Sequence, residues 1–128
     1  GDPFVVFRAA KTMHTGDMFQ RLGIPFIDVP NSNGSATEFG GTLAKAVAGI
    51  PDVDTVIPGH NPVPVTWDDF VAFSGFYNDI VSRTQKGKAA GRSVDEIVSA
   101  YSLPAAYNQF SAPERSLRAT VQYIFDGR

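Results

Sequence analysis

Two short motifs carry the residue types that could do chemistry, Thr15-Gly16-Asp17 and Pro58-Gly59-His60. A carboxylate and an imidazole are oxygen and nitrogen donors suited to a divalent cation such as Zn²⁺, Mn²⁺ or Fe. Each follows a glycine, which lets the chain turn sharply beside a ligand. Each motif also follows a short β-rich run, and in α/β sheets ligands collect beyond the carboxyl ends of strands, where loops converge their side chains. On residue types alone, Asp17 as a turn cap and His60 as a solvated loop residue account for the same pattern. The chain has no cysteine and only two histidines, His14 and His60. Disulfide scaffolds, thiol catalysis and thiolate zinc sites are thereby excluded, while an oxidising and a reducing compartment both stay open.

The elements that must position these motifs can be read from period and punctuation. Residues 4–8 and Thr12–His14 read as two strands around a small turn at residues 9–11, close enough to pair as a hairpin. Residues 18–35 carry Gly23, Pro25, Pro30, Asn31, Asn33 and Gly34 and read mostly as loop. Ser35 and Glu38 form a Ser-x-x-Glu capping box ahead of a helix with Phe39, Leu43, Ala46, Val47 and Ile50 on its apolar stripe, ended by Gly49 and Pro51. Residues 53–57 read as a third strand, stopped by Pro58. Beyond residue 65 the pattern is helical. Thr66 and Asp69 cap a helix whose stripe is Trp67, Phe70, Val71, Ser74, Tyr77 and Val81. Residues 86–92 read as a flexible basic connector. Ser93 and Glu96 cap a short helix, and Ser111-Ala112-Pro113-Glu114 opens a last one with Leu117, Val121, Ile124 and Phe125. The expected organisation is one domain over 1–128, with an α/β part at 1–65 and a helical tail at 66–128.

Composition narrows the partners. The chain has 128 residues, a formal charge of −2, 43% hydrophobic and 19% charged residues. This is a folded rather than disordered composition, and neither a basic nucleic-acid surface nor a polybasic membrane anchor. Its apolar runs fall far short of the ~20 residues that span a bilayer. We therefore expect no nucleic-acid and no membrane partner. Arg83, Lys86, Lys88 and Arg92 form a local basic patch without interleaved aromatics, which by default is a solvated surface. Trp67, Phe70, Phe73, Phe76 and Tyr77 recur at helical spacing and belong to a core rather than a binding surface.

The motifs taken together, His14-Thr15-Gly16-Asp17-Met18-Phe19, then Gly34-Ser35 and its helix, then Thr55-Val56-Ile57-Pro58-Gly59-His60-Asn61-Pro62-Val63, resemble the metallo-β-lactamase superfamily. More narrowly, they resemble the C-terminal half of one of its metal-dependent hydrolases. The resemblance implies an α/β (α+β) fold that is half of an αββα sandwich, one small mixed sheet covered by helices with a helical C-terminal segment. It implies that Asp17 is a metal-bridging aspartate and His60 a terminal histidine ligand. His14 stands where the family varies and reads either as a strand-end histidine without a catalytic role or as a group that orients Asp17; residues 19–35 would line one side of a cleft, with Phe19, Phe26 and Ile27 either touching substrate or packing in the core. The chemistry implied is hydrolysis by a metal-bound water acidified to hydroxide.

The departures from that pattern are equally specific. The first metal motif, His-x-His-x-Asp-His, is absent, as is the ligand histidine that should precede Gly16-Asp17. A catalytic zinc takes three protein ligands and an open position, and Asp17 with His60 supplies two at most. The expectation is therefore half of an enzyme, inactive alone, with Zn²⁺ (one ion or two) bound only when the missing half is present. Half a sandwich exposes the apolar face of its sheet. Covering several hundred Å² at ~25 cal/mol/Å² is worth on the order of 10 kcal/mol, so a partner is expected there, either the missing N-terminal half or a second copy in a homodimer. The alternative is a non-catalytic truncated relative that associates with itself or another protein through that face, with Asp17 and His60 vestigial.

Overall fold

The computed structural model describes residues 3–128; Gly1 and Asp2 of the expected α/β part lie outside them. Strand β1 (Val5–Phe7) turns through a single 3-10 turn, Arg8–Ala10, and Lys11 at φ 48° into β2 (Thr12–His14). The two pair antiparallel, with Val5 opposite His14 and Phe7 opposite Thr12. After the helical turn α1 (Val29–Ser32) and helix α2 (Ala36–Gly49), strand β3 (Thr55–Ile57) joins β2 in parallel, His14 beside Ile57. A two-residue strand β4 (Val65–Thr66), too short to leave a periodic signal, closes a four-stranded mixed sheet in the order β1-β2-β3-β4. The third strand begins two residues later than its composition suggests, because Asp52 sits at φ 57° and bends the chain.

The register divides the sheet cleanly, since successive side chains alternate faces. Met13 and Val56 are fully buried on one face. On the other lie Val5 and Phe7, 45% and 53% exposed, with the half-buried Thr12, His14, Thr55 and Ile57. Helix α3 (Trp67–Ala89) covers the inner face, buried through Phe70, Phe73, Phe76, Tyr77 and Ile80. The aromatic stripe is core, as its spacing implied, and it continues as ring contacts: Phe73 stacks on Phe19 at 4.4 Å and Phe76 on Phe110 at 4.9 Å. Only Val71 leaves the stripe, 38% exposed. Tyr77 donates from its hydroxyl to the Ala36 carbonyl at 2.7 Å and ties α2 to α3, and burial pushes its phenol well above the ordinary tyrosine range. Among the described residues no helix is long and apolar enough to cross a membrane.

Two of the expected caps form as full capping boxes, Thr66 with Asp69 and Ser93 with Glu96, the latter opening α4 (Val94–Ala100). At α2 the Ser35 hydroxyl accepts from the Glu38 N–H at 3.0 Å, and Glu38 does not return the bond. At α5 (Glu114–Phe125) the expectation fails: the capping position is Pro113, with no side-chain bond. Ser111 is committed elsewhere, its N–H donating to Leu22 O and its carbonyl accepting from Ile24 N–H in a bridge to the 22–24 segment. Residues 86–92 are also not a connector throughout. Helix α3 runs on to Ala89, and Gly87, which looks like a breaker, is buried where α4 lays Ile97 against it.

Candidate functional site

Parallel pairing of β2 and β3 brings their carboxyl ends to one edge, so Asp17, three residues past His14, and His60, three past Ile57, emerge side by side. The pairing continues beyond the strands. Thr15 N–H donates to Ile57 O at 3.1 Å, and the chain then turns at Gly16, φ +52°, into a 3-10 turn over Gly16–Phe19. The 58–60 loop is laced onto that turn: Gly59 N–H donates to Phe19 O at 3.0 Å and His60 N–H to Gln20 O at 2.9 Å. The side chains consequently meet, with His60 Nε2 2.6 Å from Asp17 Oδ1. They are 54% and 55% exposed, and ion pairs so open to solvent contribute about 1 kcal/mol or less. The backbone lacing, rather than the pair, holds the loops together.

Three residues besides the two candidate donors make this junction. Gly59 is one: a Cβ there would lie 2.3 Å from Gly16 O and 2.7 Å from Gly16 C, so only glycine admits this approach of the two turns. Thr15 is fully buried, its hydroxyl within 3.1 Å of Phe19 O and 3.2 Å of Ile57 O. Gln20 is buried too, and its side-chain amide both accepts from Phe26 N–H (3.1 Å) and donates to Phe26 O (2.8 Å). The one available signal was the glycine of Pro58-Gly59-His60, which the sequence marks as a turn-former but not as the contact between the two turns.

His14 does not touch the Asp17 carboxylate; its Nδ1 accepts from the Gly16 N–H at 3.0 Å and so braces the turn that carries Asp17. This bond requires Nδ1 to be unprotonated, which places the ring proton on Nε2. Phe19 is not a cleft residue. The 3-10 turn directs it inward, where it is fully buried between Phe70 and Phe73. Phe26 is the opposite, 73% exposed although the Gln20 amide fixes its backbone. It lines a cleft of about 650 Å³ with Asp17, Met18, Ile27, Asp28 and Phe39.

A neighbouring imidazole nitrogen and carboxylate oxygen are the donor chemistry of a zinc-type site. Among the described residues no third His, Cys, Asp or Glu joins them in a group that could hold a metal ion. The donor types fit a cation and the donor number does not complete its shell, so no catalytic step is derived through a metal from this chain alone.

No family model and no curated protein matches the sequence. Among solved structures, the chain is similar to a double mutant of the sec-alkyl sulfatase PisA1, with a TM-score of 0.67 and 18% identity. The match covers 93% of this chain and 21% of that one, so the chain spans about a fifth of the length of the structure it resembles. That sulfatase is a metallo-β-lactamase-fold enzyme. The chain accordingly has the fold of a part of a metallo-β-lactamase-fold enzyme, in agreement with what its two loop motifs led us to expect.

Proposed function

We propose that this chain is the C-terminal portion of a metallo-β-lactamase-superfamily hydrolase and contributes Asp17 and His60 to a zinc centre whose other donors lie outside it. The observation that carries this reading is the meeting of the two side chains at 2.6 Å, held by backbone bonds from Gly59 and His60 to the Asp17 turn. Forty-three residues separate them in sequence, and where the two turns touch stands a glycine whose Cβ would clash with backbone. A turn cap and a solvated histidine need no such junction. When bound, the metal would supply an acidified water and polarise the electrophile. This chain's own part is to hold one carboxylate and one imidazole at fixed positions, with Phe26 and Ile27 offering an apolar wall to the substrate.

The exposed sheet face, with Val5 and Phe7 at its edge strand, is where we place the missing half of the sandwich. The match to about a fifth of a longer chain favours that occupant. Metal analysis of the protein purified with its full complement of chain tests the proposal. Stoichiometric zinc, reduced in both Asp17→Ala and His60→Ala, is the expected result. The same exposed face also suits a non-catalytic module that pairs with a second copy. Absence of zinc together with a stable dimer in sedimentation would favour that module and reject the hydrolase reading.

A further inference from the structure

The five asparagines of the chain stand in different surroundings, and two of them share the run Asn31-Ser32-Asn33-Gly34. An asparagine followed by a free backbone N–H is open to attack on its own side chain: the following nitrogen displaces the amide nitrogen and closes a five-membered imide. Asn31 is protected at both ends of that reaction. Its Nδ2 donates to Asp28 Oδ1 at 2.9 Å, and the Ser32 N–H, the nitrogen that would attack, donates to Asp28 O at 3.1 Å. Asn78 lies inside α3 with its Nδ2 donating to Gly40 O at 3.0 Å. Asn61 precedes Pro62, which has no N–H, and Asn108 precedes Gln109, whose side chain crowds the approach.

Asn33 has none of these protections. It follows the last residue of the one-turn helix α1, at φ 54°, and is exposed. Among the described residues its side-chain amide makes no hydrogen bond, and the Gly34 N–H has no acceptor. Gly34 brings no Cβ to crowd the ring closure and leaves the backbone free to take up the geometry of the imide. Packing also favours glycine at this position, since a Cβ would lie 3.1 Å from Ile27 Cγ2. The Asp28 carboxylate and carbonyl thus shield one asparagine of the run, and the fold leaves the other open.

We propose that Asn33 is a self-modification site, converted without an enzyme to aspartate and isoaspartate on the wall of the cleft that Asp17 lines. The Gly34 nitrogen gives its proton to solvent, bonds to Asn33 Cγ and expels Nδ2 as ammonia, which leaves the imide. Water then opens the ring at one of its two carbonyl carbons. Breaking the bond from Cγ to the Gly34 nitrogen gives an aspartate with the original backbone. Breaking the bond from the Asn33 carbonyl carbon to that nitrogen gives an isoaspartate, whose backbone runs through Cγ. Either way one water is consumed and one ammonia released, and no oxidant or reductant takes part. Asn33 and Gly34 line the same cleft of about 650 Å³ as Asp17 and Asp28, so the product adds a third carboxylate to it. The conversion does not depend on a metal at Asp17 and His60.

The test is peptide mapping by tandem mass spectrometry of the folded protein held in mildly alkaline H₂¹⁸O buffer, with a urea-unfolded sample alongside. Residues 22–45 form one tryptic peptide, bounded by Arg21 and Lys45, so Asn31 and Asn33 are read together. Asn33 should convert first, take up ¹⁸O from the solvent, and give both aspartate and isoaspartate. Asn31 must first break two hydrogen bonds, which sets it at least about thirty-fold behind in the folded protein, and unfolding should narrow that gap. Asn33→Gln, whose folding is checked by circular dichroism, would need a larger ring and should leave the peptide unconverted over the same period. An Asn33 that converts only after unfolding, an equal rate at Asn31 in the folded protein, or aspartate without isoaspartate would overturn the proposal.

Discussion

Substituting Gly59 by alanine isolates the junction that brings Asp17 to His60. Gly59 is exposed and is not among the residues at positive φ, so a surface reading gives the change an effect within about 0.5 kcal/mol. The contacts give a different answer. The new Cβ would sit 2.3 Å from Gly16 O and 3.2 Å from Asp17 Oδ1, and the first of these is backbone that no rotamer can move. Restoring ordinary van der Waals separation moves the two turns apart by about 1 Å. That stretches Gly59 N–H to Phe19 O and His60 N–H to Gln20 O beyond bonding range from 3.0 and 2.9 Å. Two lost backbone bonds at about 1 kcal/mol each give about 2 kcal/mol, or roughly an 8 °C fall in Tm for a chain of this size. Urea unfolding followed by circular dichroism measures it. Gly41→Ala is the matched control. Gly41 lies within α2 with nothing inside 4 Å of its added Cβ, and the change should stabilise by about 0.5–1 kcal/mol. Two glycine-to-alanine substitutions of opposite sign are expected; a Gly59→Ala variant as stable as the parent would show that the two turns do not need a glycine to meet.

The assignment of Phe19 to the core and Phe26 to the cleft predicts a sharp difference. Phe19→Ala should cost about 3–5 kcal/mol and Phe26→Ala less than about 1 kcal/mol, both read from urea midpoints. For Tyr77 the sign follows from its raised pKa. Its stabilisation is complete below the unfolded tyrosine value of about 10 and declines above it as the unfolded state ionises first. Tyr77→Phe should therefore lower stability by about 1 kcal/mol at neutral pH and flatten the alkaline decline, as thermal melts between pH 8 and 11 would show.

What could be read from the residues alone is what local chemistry decides. Thr66 with Asp69 and Ser93 with Glu96 cap their helices as their spacing implies, because donor and acceptor lie within one turn. Ser111 has the same local signature and fails, because its backbone is drawn into a bridge with residues 22–24, almost ninety positions away. Gly87 lies in a stretch that reads as a flexible connector, and tertiary packing turns its missing side chain into the contact for Ile97. The candidate donors were visible as residue types after strand ends. The residues that fix them were not: Thr15 and Gln20 act through partners set by the β2–β3 pairing and by the fold of the following loop. Phe19, one turn past Gly16, could not be placed without knowing that the 3-10 turn faces α3.

If Asp17 and His60 jointly attract a cation, the two histidines of the chain supply the test and its internal reference. In a Zn²⁺ titration followed by proton NMR, the imidazole resonances of His60 should shift or broaden first. Those of His14, whose Nδ1 is occupied by the Gly16 N–H, should stay in place, and Asp17→Ala should weaken the His60 response. Equal responses from both rings, or a His60 response unaffected by Asp17→Ala, would show that the two do not act together on a cation.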